Sequence, residues 1–185
     1  TFSAKRIGAS VAGSAHATGM VTRREEDGRF ALIETAVQLN VAIDPPPDDL
    51  AGLAGEPMAA SRLVIHNAAK DAWKLRHGPF RASDFRRLPK RDWTLLVQDC
   101  DKLLAEIDAL LLPFRFVPDW RVDDVMISYA VDGGSVGAHV DQYDVFLLQA
   151  HGHRRWQIDT SPDAPLGFRP DVELKLLSEF TPDHD

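Results

Sequence analysis

Apolar and polar positions change rhythm twice along this chain. Over residues 1–27 small and polar residues follow one another without a period, and no element is expected there. Residues 29–33 (Arg-Phe-Ala-Leu-Ile) predict a short strand, and Asp44-Pro45-Pro46-Pro47 a stiff connector, because proline fixes φ and removes an N–H donor. Residues 48–54 predict a short helix, with Asp48 and Asp49 at its positive end and Gly55 as its stop. Residues 61–65 and 72–75 predict two strands joined by a loop over 67–71, the second broken by His77-Gly78-Pro79-Phe80. Trp93, Leu96, Val97, Cys100, Leu103, Leu104, Ile107, Leu110 and Leu111 recur every three or four residues, which predicts an amphipathic helix capped at Asp92 and ended by Pro113. Past Pro113 the pattern becomes short strands between glycine-containing turns, at residues 125–131, 143–149, 155–158 and 172–177, with a proline-rich loop over 159–170. That spacing suits a barrel or sandwich.

Composition narrows the function classes. The 185 residues suffice for one domain with a proper core, and 44% apolar with 26% charged is an ordinary globular balance. A net charge of −7 argues against a nucleic-acid groove and is compatible with a basic protein partner. Cys100 is the single cysteine, so an intrachain disulfide and a cysteine zinc cage are excluded, and its place on the apolar stripe reads as packing. No apolar run reaches the roughly 20 residues that span a bilayer. The start of the sequence lacks the apolar centre of a signal peptide, and a cytoplasmic location is expected.

The chemistry centres on Ala138-His139-Val140-Asp141, which follows the turn Gly133-Gly134-Ser135-Val136-Gly137. On a strand, residues two apart project from one face, so His139 and Asp141 would stand side by side. An imidazole and a carboxylate are two of the three ligands of the 2-His-1-carboxylate triad of non-haem Fe(II) oxygenases. A hydrogen-bonded surface pair at a strand end satisfies the same triplet. Asp132 ahead of two glycines is ordinary turn chemistry, or a carboxylate at a barrel mouth that holds a substrate guanidinium. His151 and His153 are spaced as a second metal pair but flank Gly152 in a turn, which favours the surface.

Three runs carry a resemblance: residues 112–128 (Leu-Pro-Phe-Arg through Pro-Asp-Trp-Arg-Val-Asp-Asp-Val-Met-Ile-Ser), 137–146 (Gly-Ala-His-Val-Asp-Gln-Tyr-Asp-Val-Phe) and 152–156 (Gly-His-Arg-Arg-Trp). Together they closely resemble the bacterial ribosomal oxygenases, JmjC-type cupin enzymes, and the likeness extends more loosely back to Asp44 and on to the end of the sequence. The resemblance implies an α+β, mainly β fold: an incomplete double-stranded β-helix (jelly roll) with N-terminal strands and helices packed around it. Residues 1–35 would be a separate, poorly patterned segment and 36–185 the oxygenase domain. It implies Fe(II) as cofactor and 2-oxoglutarate as cosubstrate, with hydroxylation of an arginine of a large-subunit ribosomal protein and release of succinate and CO2.

Residue by residue, the resemblance gives His139 and Asp141 as metal ligands. It gives Arg154 as the partner of the distal carboxylate of 2-oxoglutarate, a role that suits a permanently charged bidentate fork. Arg154 and Arg155 should face opposite ways, and the resemblance selects Arg154 for the inside. Asp132 is the candidate substrate contact. The family's third ligand is a second His on a later strand, and His184 does not match it. The chain as given is therefore expected to release no succinate, and a family-type homodimer is not expected of it. Two other functions fit the same residues, a non-catalytic cupin-like binding module and an oxygenase acting on a small molecule.

Overall fold

The computed structural model describes residues 6–10, 37–43, 48–141, 143–150 and 152–185. Its main sheet has six strands in the order β4-β3-β5-β6-β2-β7. These are β2 (Val37–Ile43), β3 (Ser61–Asn67), β4 (Ala72–His77), β5 (Trp93–Val97), β6 (Val122–Ala130) and β7 (Asp144–Gln149). The block β4-β3-β5-β6 is antiparallel throughout, whereas β2 runs parallel to both β6 and β7. A second sheet pairs β1 (Arg6–Ser10) with β8 (Arg155–Asp159), antiparallel.

Register divides the antiparallel block into two faces. Leu63, Leu95 and Tyr129 share one row and Ser61, Val97 and Ile127 the next. This face packs on Leu50 of helix α1 (Asp48–Leu53), on Ala54 just after it, on Phe80 and on Cys100, and forms the main core. The opposite face carries Val64, Leu96 and Met126 against Trp73, Leu75, Val136 and Leu174. The expected helix at 48–54 and the hairpin of 61–65 with 72–75 are both present, and β4 ends at His77 as expected.

Three expectations fail. The helix over 92–111 is instead strand β5, two short helices, α2 (Cys100–Leu103) and α3 (Ala105–Asp108), and a 3-10 turn over Ala109–Phe114. All five residues of β5 are buried. A central strand covered on both faces has a continuous apolar run, and such a run also satisfies a helical period by chance. Asp92 does not cap a helix: with φ +65 it turns the chain into β5, its amide donating to the Asp132 carbonyl and its carbonyl accepting from the His66 amide. Residues 172–177 form no strand, only a bridge between Leu177 and Phe168. Residues 6–10, expected to be unstructured, gain their order as β1 from pairing with β8. The predicted strand at 29–33 and the proline connector at 44–47 lie outside the described residues.

Candidate metal and carboxylate site

The second face of the antiparallel block is the floor of a cavity of about 410 Å³. One row across it runs His77, Arg62, Leu96, Ser128, each directly opposite the next. The neighbouring row brings in Leu75 and Thr94 around Val64. The roof comes from the segment between β6 and β7, from Val145 and Leu147 of β7, from Arg154 and Trp156, and from residues 173–176.

His139 and Asp141 lie on the extended stretch leading into β7, not on the strand itself. They nevertheless meet, with Nε2 of His139 3.5 Å from Oδ2 of Asp141, both side chains about a quarter exposed. Nδ1 of His139 is 2.9 Å from the Gly137 carbonyl, which can only accept, so Nδ1 carries a proton and Nε2 is the nitrogen turned toward Asp141. Burial pulls the imidazole down, but the hydrogen bond and charge of Asp141, helped by the Gly137 carbonyl, outweigh it and hold His139 above its ordinary value. Gly137 has φ +76, and a Cβ there would lie 2.6 Å from Cδ2 of Leu176 and 3.1 Å from Trp73. Only glycine can bring its carbonyl so close beneath the imidazole.

Arg154 immediately precedes β8 and is buried at 9% exposure, with Nη1 3.5 Å from Oγ of Ser128 and its guanidinium 5.7 Å from the Trp156 ring centre. Burial pushes this guanidinium down to about 10. Arg155 points outward and pairs with Asp185. In the same cavity, the Thr94 hydroxyl is buried without a hydrogen-bond partner among the described residues. Arg154, Ser128 and Thr94 thus offer one guanidinium and two hydroxyls to an anion.

Asp132 does not line the cavity: it lies in the Gly133 turn with its exposed carboxylate 2.8 Å from Nη1 of Arg91. His153 is exposed, His151 lies outside the described residues, and His184 bridges Ile158. Among the described residues no third His, Cys, Asp or Glu completes a metal cluster, so the donors present fit two of the three positions of a facial triad. Sequence reasoning missed Arg62, Thr94, Ser128 and Tyr143 as cavity residues. Thr94 was hidden inside the misread helix. The alternation of Arg62 with buried Leu63 was the available sign that it faces away from the core.

Residues 109–185 match the family model of the JmjC domain. These residues are similar to a JmjC domain. Over 120 residues the chain is 51% identical to the "Ribosomal protein uL16 3-hydroxylase" of Escherichia coli (strain K12), covering 64% of this chain and 31% of that protein. Over 134 residues it is 41% identical to the "Probable ribosomal oxygenase" of Haemophilus influenzae, covering 72% of this chain and 33% of the other. The chain therefore spans about a third of the length of the curated relatives it matches. A solved structure of YcfD, a ribosomal oxygenase from Escherichia coli in complex with cobalt and 2-oxoglutarate, is 50% identical with a TM-score of 0.49, over 55% of this chain and 27% of that one. The matched residues include His139, Asp141 and Arg154, which line one cavity, and the strands β6, β7 and β8 lie among them.

Proposed function

We propose that this chain is part of an Fe(II)- and 2-oxoglutarate-dependent oxygenase that hydroxylates an arginine side chain of a large-subunit ribosomal protein, with succinate and CO2 as co-products. The observation that carries the reading is the convergence of the His139–Asp141 pair and the buried Arg154 on one cavity. The names of the relatives, a uL16 3-hydroxylase and a probable ribosomal oxygenase, support the substrate.

Nε2 of His139 and the Asp141 carboxylate would hold the metal, and the Gly137 carbonyl keeps the imidazole in the tautomer this needs. Arg154, with the hydroxyls of Ser128 and Thr94, would take the distal carboxylate of 2-oxoglutarate. Bound iron would supply the activation of O2; the protein's share is position and charge. Asp132 is a candidate substrate contact, since its carboxylate already accepts a guanidinium, that of Arg91, which a substrate arginine would have to displace. With Cys100 buried and reduced, a cytoplasmic setting agrees with a ribosomal substrate.

Mn(II) binding followed by electron paramagnetic resonance tests the metal assignment. Binding should be weak in this chain, tighten with 2-oxoglutarate, and vanish in His139→Ala and Asp141→Ala. Binding indifferent to both substitutions would refute it. One observation favours a non-catalytic binding module instead, the lack of a third donor among the described residues. Incubation with Fe(II), 2-oxoglutarate and a uL16 peptide separates the readings. No succinate is expected from this chain, because two donors hold the metal poorly; peptide-stimulated succinate would overturn that expectation and exclude the binding module. Turnover equally fast without peptide would point to a small-molecule substrate.

A further inference from the structure

The cavity holds a second guanidinium that the assignments above do not use. Arg62 sits on the floor row two strands from Ser128, roughly 10 Å away at ordinary strand spacing. Its Nε is buried with no hydrogen-bond partner, and its Nη2 has only the Met126 sulfur at 4.0 Å. The lining carboxylates are already engaged: Asp141 faces His139 at 3.5 Å and Glu173 faces His77 at 3.0 Å. Arg62 and Arg154 are thus two cations in one cavity, neither with a carboxylate within ion-pair distance among the described residues. A buried guanidinium N–H without an acceptor is costly, and two guanidinium groups in one cavity ask for an anion at each end. Arg62 lines the cavity together with His139, Asp141 and Tyr143, and lies two strands away from the Ser128 hydroxyl that Arg154 touches.

We propose that Arg62 is a positioning residue that holds the carboxylate next to the keto group of a short 2-oxo dicarboxylate whose other carboxylate rests on Arg154. The inference rests on the oxygenase reading and adds to it a second anchor on strand β3, outside the matched JmjC residues. With both ends fixed, the cosubstrate is oriented by the protein before any metal contributes, and the cavity selects against monocarboxylates of the same length.

Three ligands test this by titration in the presence of a chelator, followed by calorimetry and by tryptophan fluorescence, since Trp156 lines the cavity. They are 2-oxoglutarate, 4-oxopentanoate (a methyl in place of the keto-side carboxylate) and 2-oxopentanoate (a methyl in place of the distal one). The wild-type chain should prefer 2-oxoglutarate to either by roughly tenfold or more, the worth of one charge-assisted pair. Arg62→Met should bind 2-oxoglutarate and 4-oxopentanoate alike yet keep its preference over 2-oxopentanoate, and Arg154→Met should do the reverse. If Arg62→Met does not fold, Arg62→Lys keeps a charge without the fork and should give a reduced ratio. An unchanged preference over 4-oxopentanoate in either Arg62 variant overturns the proposal and leaves the oxygenase reading intact. Equal loss of affinity for all three ligands assigns Arg62 to the fold alone and overturns it too. No binding of 2-oxoglutarate by the wild type overturns the proposal; restoration by Mn(II) would then preserve the oxygenase reading, and failure of Mn(II) to restore it would sink both.

Discussion

Replacing Gly137 by alanine should injure the fold moderately and the site severely. The residue has φ +76, a left-handed conformation that costs an L-residue about 1–2 kcal/mol. The added Cβ would lie 2.6 Å from Leu176 Cδ2 and 3.1 Å from the Trp73 ring, and overpacking of this kind typically costs about 1–3 kcal/mol. Together they remove roughly 2–5 kcal/mol from a stability of about 5–15 kcal/mol, so Gly137→Ala should still fold but melt about 5–15 °C lower. Leu176 lies in an irregular segment and can yield, but any shift carries the Gly137 carbonyl with it, and that carbonyl orients His139 from 2.9 Å. Loss of such an orienting partner typically costs about 10–100-fold in metal affinity. Thermal melts beside Mn(II) titrations measure both effects. Gly52→Ala is the control: nothing lies within 4 Å of its Cβ position in α1, so it should be neutral or slightly stabilising and leave metal binding alone. A Gly137→Ala chain that melts and binds Mn(II) like the wild type would refute the reasoning.

Thr94→Val keeps the shape of a buried side chain and removes a hydroxyl without a partner, so stability should rise by about 1 kcal/mol while 2-oxoglutarate binds several-fold more weakly. Denaturant melts and calorimetry read the two, and a loss of stability would mean that the hydroxyl is satisfied in the folded chain. Burial pushes the Cys100 thiol up to about 12 from 9.0, so Ellman's reagent at pH 8 should modify it only after denaturation; rapid labelling of the folded chain would show the site to be open. Because the folded value is the higher one, this thiol's contribution is complete below 9.0 and is lost as pH climbs toward 12, visible as a falling melting temperature.

What the sequence disclosed follows from how local each signal is. The hairpin β3-β4 and helix α1 were legible because their turn and cap residues lie within a few positions of the elements they shape. Strand β5 was not, because its state depends on β3 and β6 covering it from both sides, a fact of the sheet rather than of Trp93 to Val97. Strand β2 has a trace in the sequence, the alternation of Val37, Leu39, Val41 and Ile43 with Gln38, Asn40 and Ala42. His139, Asp141 and Arg154 were found through a motif resemblance, and the structure places them around one cavity. The sequence leaves Asp132 as a turn residue or a substrate contact, and its geometry is that of a turn with Arg91 on its carboxylate. Arg62 and Thr94 stayed hidden because a polar residue in a strand declares its importance only when its row is known.

The two halves of the site are held by different means. The floor row is fixed by ladder hydrogen bonds between β3, β5 and β6, so Arg62, Thr94 and Ser128 keep their spacing whatever binds. The stretch of the roof that carries both metal-ligand candidates lies outside its strands and is held by other ties: the Leu177 amide donates to the Ala138 carbonyl, Leu176 packs over Gly137, and Arg169 clamps Asp71 and Asp171. The segment holding those ties sits where the sequence predicted a strand and the structure has irregular chain. A rigid carboxylate-binding floor beneath a ligand pair that lies outside the strands lets the anion bind first and the metal ligands settle around it. That order is the physical reason to expect Mn(II) affinity to rise with 2-oxoglutarate rather than to be independent of it.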